Sequence, residues 1–211
     1  MPARAELDGY ASAVEAAHAC LVAELRQQAR VIGEVTLSSG ATAAYYVDAK
    51  RAILRPSCFA ALGELLRDCA RRFEATAVGG VPISAIPVAC AALAAAGDSD
   101  GDQDGVRKVF IVRKEAKQHG LGRWLDGPQL DPGERCMLVE DVVTTGSSSV
   151  DVLRRLRSEG VHVVAVVSVL DRLAGGAAAI EAVAAVPYVA LTTIDDVYPD
   201  RPDRGPAGSP G

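Results

Sequence analysis

Five short apolar runs, ATAVGGV, KVFIVRK, RCMLVEDVV, VHVVAVVSVLDR and YVALTTIDDV, dominate the chain from residue 75 onward. Most are separated by helix-patterned stretches: a proline-initiated one ending at Ala96, the amphipathic VDVLRRLRSEG, and AAIEAVAAV. A strand that is apolar along its whole length is covered on both faces, and strands joined through helices are parallel. The expected architecture is therefore α/β, a mainly parallel central sheet of about five strands flanked by helices. Functional loops belong at the carboxyl ends of such strands.

The first part of the chain reads differently. Residues 5–30 are alanine-rich with leucine and valine at helical intervals, predicting a helix that ends near Gly33. VTLSSGATAAYYVDAKR sets β-branched and aromatic residues around the turn signal SSG, which predicts a hairpin. From Ser57 to Phe73, Phe59, Leu62, Leu65, Leu66 and Cys69 recur at helical spacing and give a helix with one buried face. At 211 residues the chain is expected to be one domain over 1–200, with a small N-terminal hood from about 1–50 and a disordered tail at 201–211.

A net charge of −5 leaves no global basic field to hold nucleic acid or an anionic membrane, so any bound anion must be gripped locally. AIPVACAALAAA, the longest apolar stretch, is shorter than the ~20 residues of a membrane span, and the N-terminus carries no apolar signal core, which predicts a cytoplasmic location. Cysteines 20, 58, 69, 90 and 136 show no CxxC spacing and read as small buried thiols. The acidic GDSDGDQDG lacks calcium-loop spacing and reads as a solvated connection. His18 and His162 have no evident partners in the sequence pattern.

Two segments carry chemistry. In VEDVVTTGSSS, a strand delivers Glu140 and Asp141 and then passes through a Thr-Thr-Gly-Ser-Ser turn into a helix whose first N–H groups are unpaired. Hydroxyls, a glycine and a helix N-terminus make a site for a phosphate monoester, with the carboxylates placed to accept from sugar hydroxyls or the waters of a divalent ion. The glycine-lysine of an ATP-binding P-loop is missing. In VRKEAKQHGLGRW, lysine usage is the signal. The 22 basic residues include only four lysines, at 50, 108, 114 and 117, yet two of these fall within four residues. Arg113, Lys114, Lys117 and His119 form a dense cationic cluster beside Gly120 and Gly122, suited to neutralising a diphosphate leaving group.

VEDVVTTGSSS resembles the phosphoribosyl-diphosphate motif of the type I phosphoribosyltransferases, and RKEAKQHG resembles the catalytic loop of the orotate phosphoribosyltransferases. YYVDAKR, VGGVPISAIPVA and SVLDR resemble, in family order, the aromatic segment near the base, the diphosphate loop and the strand end whose arginine meets orotate. The resemblance spans roughly residues 31–175 and implies the type I phosphoribosyltransferase fold. It also implies transfer of ribose 5-phosphate from phosphoribosyl diphosphate to orotate, giving orotidine 5′-monophosphate and diphosphate.

Carried over, it implies that Glu140, Asp141, Val142, Val143, Thr144, Thr145, Gly146, Ser147 and Ser148 hold the ribose and 5-phosphate. Gly79 and Gly80 would turn backbone amides to phosphate oxygens. Arg113, Lys114, Lys117 and His119 would contact the diphosphate, with Lys117, Arg113, His119 and Asp141 the catalytic set. Thr144, Arg172 and Tyr46 would address the orotate ring. Magnesium is the implied cofactor, held mainly by substrate and water. A homodimer is implied, with loop 113–125 reaching toward the neighbouring site.

Three positions depart from the family pattern: Ser38 and Ala41 stand where lysine and arginine are common, and GGVPIS lacks a lysine. Transfer to a different base, or binding of phosphoribosyl diphosphate without turnover, are the alternative readings. Trp124 reads either as a clamp on the loop or as an anchor between subunits. Tyr45 and Tyr46 point to opposite faces of an extended segment, so one of them meets a ligand.

Overall fold

The computed structural model describes residues 4–36, 42–96, 105–113 and 124–204. Its centre is a six-stranded sheet. In spatial order the strands are β5 (Leu125–Asp126), β4 (Lys108–Val112), β3 (Ala77–Gly80), β6 (Arg135–Val143), β7 (His162–Asp171) and β8 (Tyr188–Thr193). All neighbouring pairs are parallel except β4 with β5. The parallel α/β expectation is met, and the sixth strand is the two-residue β5, too short to leave a periodic signal in a polar stretch.

The chain moves outward from β3 through α4 (Ile86–Ala96) to β4, then returns to β6 and moves the other way through α5 (Ser147–Ser158) and α6 (Gly176–Ala184). Right-handed crossovers put α4 on one face and α5 and α6 on the other. The direction reverses between β3 and β6, so the loops leaving their carboxyl ends diverge and open a crevice. Helix α3 (Pro56–Arg72) packs on α4, and α1 (Arg4–Glu24) packs on α3. As the spacing predicts, α3 buries Leu62, Leu65, Leu66 and Cys69. Gly63 lets α3 and α4 approach closely, because a Cβ there would lie 2.8 Å from the Ala91 carbonyl oxygen.

The first helix ends earlier than expected. After Glu24 a π-helical turn, Leu25–Ala29, leads into β1 (Arg30–Thr36), which pairs antiparallel with β2 (Thr42–Val47). Gly33 lies inside β1 at φ +128°, within the register shift between Ile32 and Val35, so this glycine serves a bulge and not a helix stop. The hairpin itself is as expected. The last strand also stops early: IDDV forms a helical turn, α7 (Ile194–Val197), because Thr193 and Asp196 make a reciprocal capping box. Residues 201–204, assigned by the sequence reading to the tail, are fixed by ion pairs of Arg201 with Asp195 and Asp203.

Among the described residues no helix is long and apolar enough to cross a membrane. Cys58, Cys69 and Cys136 are buried, with burial pushing their thiols up to about 12, 11 and 12, whereas Cys90 is exposed. His18 Nε2 lies 3.0 Å from the Leu191 carbonyl oxygen and ties α1 to β8.

Candidate active site

β6 carries Glu140 and Asp141 to the mouth of the crevice, and alternation along a strand sends them to opposite faces. Both are buried, at 8% exposure each. On the α5 side, Glu140 accepts from the wholly buried Ser149 hydroxyl. Burial pushes the Glu140 carboxyl up to about 7, opposed by the Ser149 bond and reinforced by the nearby Asp141 charge. On the other side, burial also raises Asp141, opposed by the Val142 amide, the Lys50 charge and the Ser84 hydroxyl among others. Ser84 belongs to the loop after β3, and Lys50 opens α2 (Lys50–Ile53), directly after the hairpin. Asp141 therefore faces groups from two further elements, the loop after β3 and the start of α2.

Beyond β6, residues 144–148 curl round a cavity of about 160 Å³ lined by Glu140, Val142, Val143, Thr144, Thr145, Gly146, Ser147 and Ser148. Gly146 adopts φ +75°, and a Cβ there would lie 2.8 Å from the Gly176 carbonyl oxygen, so glycine is required at this turn. No side chain caps α5 at Gly146, while Thr144, Thr145, Ser147 and Ser148 are exposed. The first N–H groups of α5 thus face an open cradle of hydroxyls, where the helix dipole favours an anion.

Next to this cradle, the Arg172 amide donates to the Val143 carbonyl at 2.8 Å, which starts the Arg172 side chain beside the turn at 144–148. Its guanidinium donates to the Tyr45 hydroxyl at 3.0 Å and lies 5.1 Å from that ring's centre. Tyr45, not Tyr46, is the aromatic residue brought to Arg172. Tyr46 is half-buried and lies near Lys50.

Gly79 and Gly80 are buried inside β3 and paired with both β4 and β6. A Cβ at 79 would lie 2.3 Å from the Phe110 ring, and one at 80 would lie 2.9 Å from the Ala85 carbonyl oxygen. Packing within the sheet already demands glycine at both positions.

Of the cationic segment, Arg113 and Trp124 are described, while Lys114, Lys117 and His119 lie outside the described residues, as do Ser38 and Ala41. The Arg113 amide donates to the Trp124 carbonyl at 2.8 Å, and its guanidinium pairs with Asp126 at 2.7 Å. Arg155 of α5 grips both residues. It donates to the Arg113 carbonyl at 2.6 Å and stacks 3.7 Å from the centre of the Trp124 ring. The helix that opens the hydroxyl cradle thereby also holds both ends of the cationic segment.

Lys50, Ser84 and Ser149 escaped the sequence reading. Lys50 was findable by the lysine scarcity that singled out 114 and 117, whereas nothing local marks either serine. Lys108 is taken up in pairs with Asp131 at 2.7 Å and Glu134 at 2.9 Å. A larger cavity of about 320 Å³, lined by Leu125, residues 127–134, Cys136 and residues 159–162, lies at the amino ends of β6 and β7, away from this constellation.

The raised Glu140 carboxyl has a measurable consequence. Below about 4.5 it is protonated whether the chain is folded or not; between about 4.5 and 7 only the unfolded chain ionises it, so stability falls as pH rises through that window. Above the window the accumulated cost is roughly 3 kcal/mol. Glu140→Gln should therefore gain melting temperature over the wild type on going from about pH 5 to about pH 8. A difference that stays constant with pH would contradict protonation of Glu140 in the folded chain.

No family model matches the chain. It is 41% identical over 164 residues to an orotate phosphoribosyltransferase of Corynebacterium glutamicum (strain R), covering 78% of this chain and 85% of that one. The crystal structure of the Mycobacterium tuberculosis H37Rv orotate phosphoribosyltransferase with Fe(III) dicitrate superposes with a TM-score of 0.75 at 37% identity, over 86% of this chain and 99% of that one. The same Mycobacterium tuberculosis enzyme in complex with 5-phospho-α-D-ribosyl 1-diphosphate superposes with a TM-score of 0.70 at 32% identity, over 86% and 98%.

Proposed function

The chain belongs to the orotate phosphoribosyltransferase family, and on that premise we propose how its residues carry the reaction. The activity is transfer of ribose 5-phosphate to orotate, forming orotidine 5′-monophosphate and diphosphate in pyrimidine biosynthesis. The carrying observation is the uncapped N-terminus of α5 in its ring of hydroxyls, with Glu140 in the lining of that cradle and Arg172 starting beside it.

In this reading the 5-phosphate of phosphoribosyl diphosphate sits in the cradle of residues 144–148, bound by α5 amides and the hydroxyls of Thr145, Ser147 and Ser148. The ribose hydroxyls donate to Asp141 and Glu140. That donation favours ionised Glu140, so binding expels its proton near neutral pH. Arg172, with Thr144, receives the base, and Tyr45 backs Arg172. During transfer the ribose carbon becomes oxocarbenium-like and charge grows on the departing diphosphate, which Arg113, Lys114, Lys117 and His119 offset.

The carboxylates suit magnesium held mainly by substrate and water: Asp141 or Glu140, each a hard oxygen acceptor already bonded to a protein hydroxyl, would take the ion's waters as donors. So held, magnesium would neutralise charge on the diphosphate. The chain is further read as a cytoplasmic homodimer in which the segment after Arg113 enters the partner's site.

A carboxylate built into the cradle tests its placement. Ser148 is exposed, so Ser148→Glu should keep its melting temperature yet lose affinity for phosphoribosyl diphosphate by about tenfold or more, measured by calorimetry. Unchanged affinity would move the phosphate elsewhere.

A further inference from the structure

Past β8 and α7 the chain does not leave the domain. Residues 198–204 fold back round Arg201, which pairs with Asp195 and, at 3.3 Å, with Asp203. Tyr198 meets Tyr45 edge to face, with ring centres 5.2 Å apart and planes at 89°, and Arg30 of the hairpin covers the Tyr198 ring at 5.5 Å. This fold delivers the Asp203 carboxylate to the Tyr45 hydroxyl, at 3.0 and 3.1 Å from its two oxygens. A phenol carries one hydrogen. With that hydrogen given to Asp203, the Tyr45 oxygen is left as an acceptor, and Arg172 donates to it at 3.0 Å. Residues from the hairpin, the end of β7 and the C-terminal segment thus form one directed chain, Arg172 to Tyr45 to Asp203. Tyr45 is 4% exposed, so both partners meet a buried hydroxyl.

We propose that Asp203 is a positioning residue for base recognition: by orienting the Tyr45 hydroxyl it fixes the Arg172 guanidinium, which makes residues 198–204 a working part of the base site. This rests on the reading that Arg172 meets orotate. Positioning through a neutral phenol predicts a particular pattern. The loss on removing the acceptor falls on the base and spares phosphoribosyl diphosphate, and the positioning survives replacement of the carboxylate by a neutral acceptor.

The test is steady-state kinetics on the full chain, with both substrates varied, for Asp203→Ala, Asp203→Asn, Tyr45→Phe, Arg172→Ala and the Asp203→Ala/Tyr45→Phe double variant. The KM for orotate should rise about three- to tenfold in Asp203→Ala and in Tyr45→Phe. The double variant should be no worse than the single ones, and the KM for phosphoribosyl diphosphate should stay within about twofold. Asp203→Asn, which keeps an acceptor oxygen, should recover most of the loss. The proposal is overturned if Asp203→Ala leaves the orotate KM unchanged, lowers it, or shifts both KM values together, while Arg172→Ala raises it. If Arg172→Ala itself spares orotate, it is the base-site reading that fails.

Discussion

Lys117→Ala should lower kcat by about 10²–10³-fold while the melting temperature stays at the wild-type value. The argument begins with residue choice. A chain that places arginine at nearly every basic position spends two of its four lysines within RKEAK. A compact ammonium, unlike a planar guanidinium, can follow charge as it moves onto a departing oxygen. The described frame supports the assignment: Arg113 and Trp124, at the two ends of the segment, are joined by a backbone hydrogen bond and held by Arg155 from the phosphate-cradle helix. Lys117 lies between them in sequence. Because its contribution is made to charge that develops in the transition state, the loss falls on kcat more than on KM. Near-normal turnover would remove Lys117 from the reaction.

The second large effect is expected at Asp141. Asp141→Asn keeps the size of the side chain and one acceptor for Ser84, but removes the charge that faces Lys50 and would receive ribose hydroxyls. A charged hydrogen bond contributes about 1.5–3 kcal/mol, so affinity for phosphoribosyl diphosphate should fall roughly 10- to 150-fold by calorimetry. Unchanged affinity would leave Asp141 a purely structural acid. The two inactive variants also test the dimer together. If the cationic segment serves the neighbouring subunit, mixing Lys117→Ala with Asp141→Asn protein restores activity, because one site of each mixed dimer is intact. Activity that stays absent after subunit exchange would place both residues in one chain's own site.

What could be read from the sequence follows from physical range. RCMLVEDVV gives β6 with both boundaries correct, since a strand buried on two faces is mostly apolar and ends where polar turn residues begin. TTGSS marks the turn that opens α5 because a helix N-terminus is local chemistry. The last four residues of YVALTTIDDV were misread because a capping box outweighed the strand pattern, and the first helix was overextended because a bulge glycine resembles a helix stop. β5, two residues long, has no period to detect. Relations set by the tertiary fold were out of reach: Tyr45 with Asp203 spans 158 positions, and no spacing rule links them. Likewise, only the folded chain brings Tyr45 of the hairpin to Arg172.

The most direct test of the whole account is the loss of orotate absorbance on adding phosphoribosyl diphosphate and magnesium to the purified protein, with a magnesium-free control and Asp141→Asn beside it. The account predicts magnesium-dependent orotate consumption by the wild type and severe loss in the variant. Absence of consumption by the wild type, or equal rates in the two proteins, would contradict it.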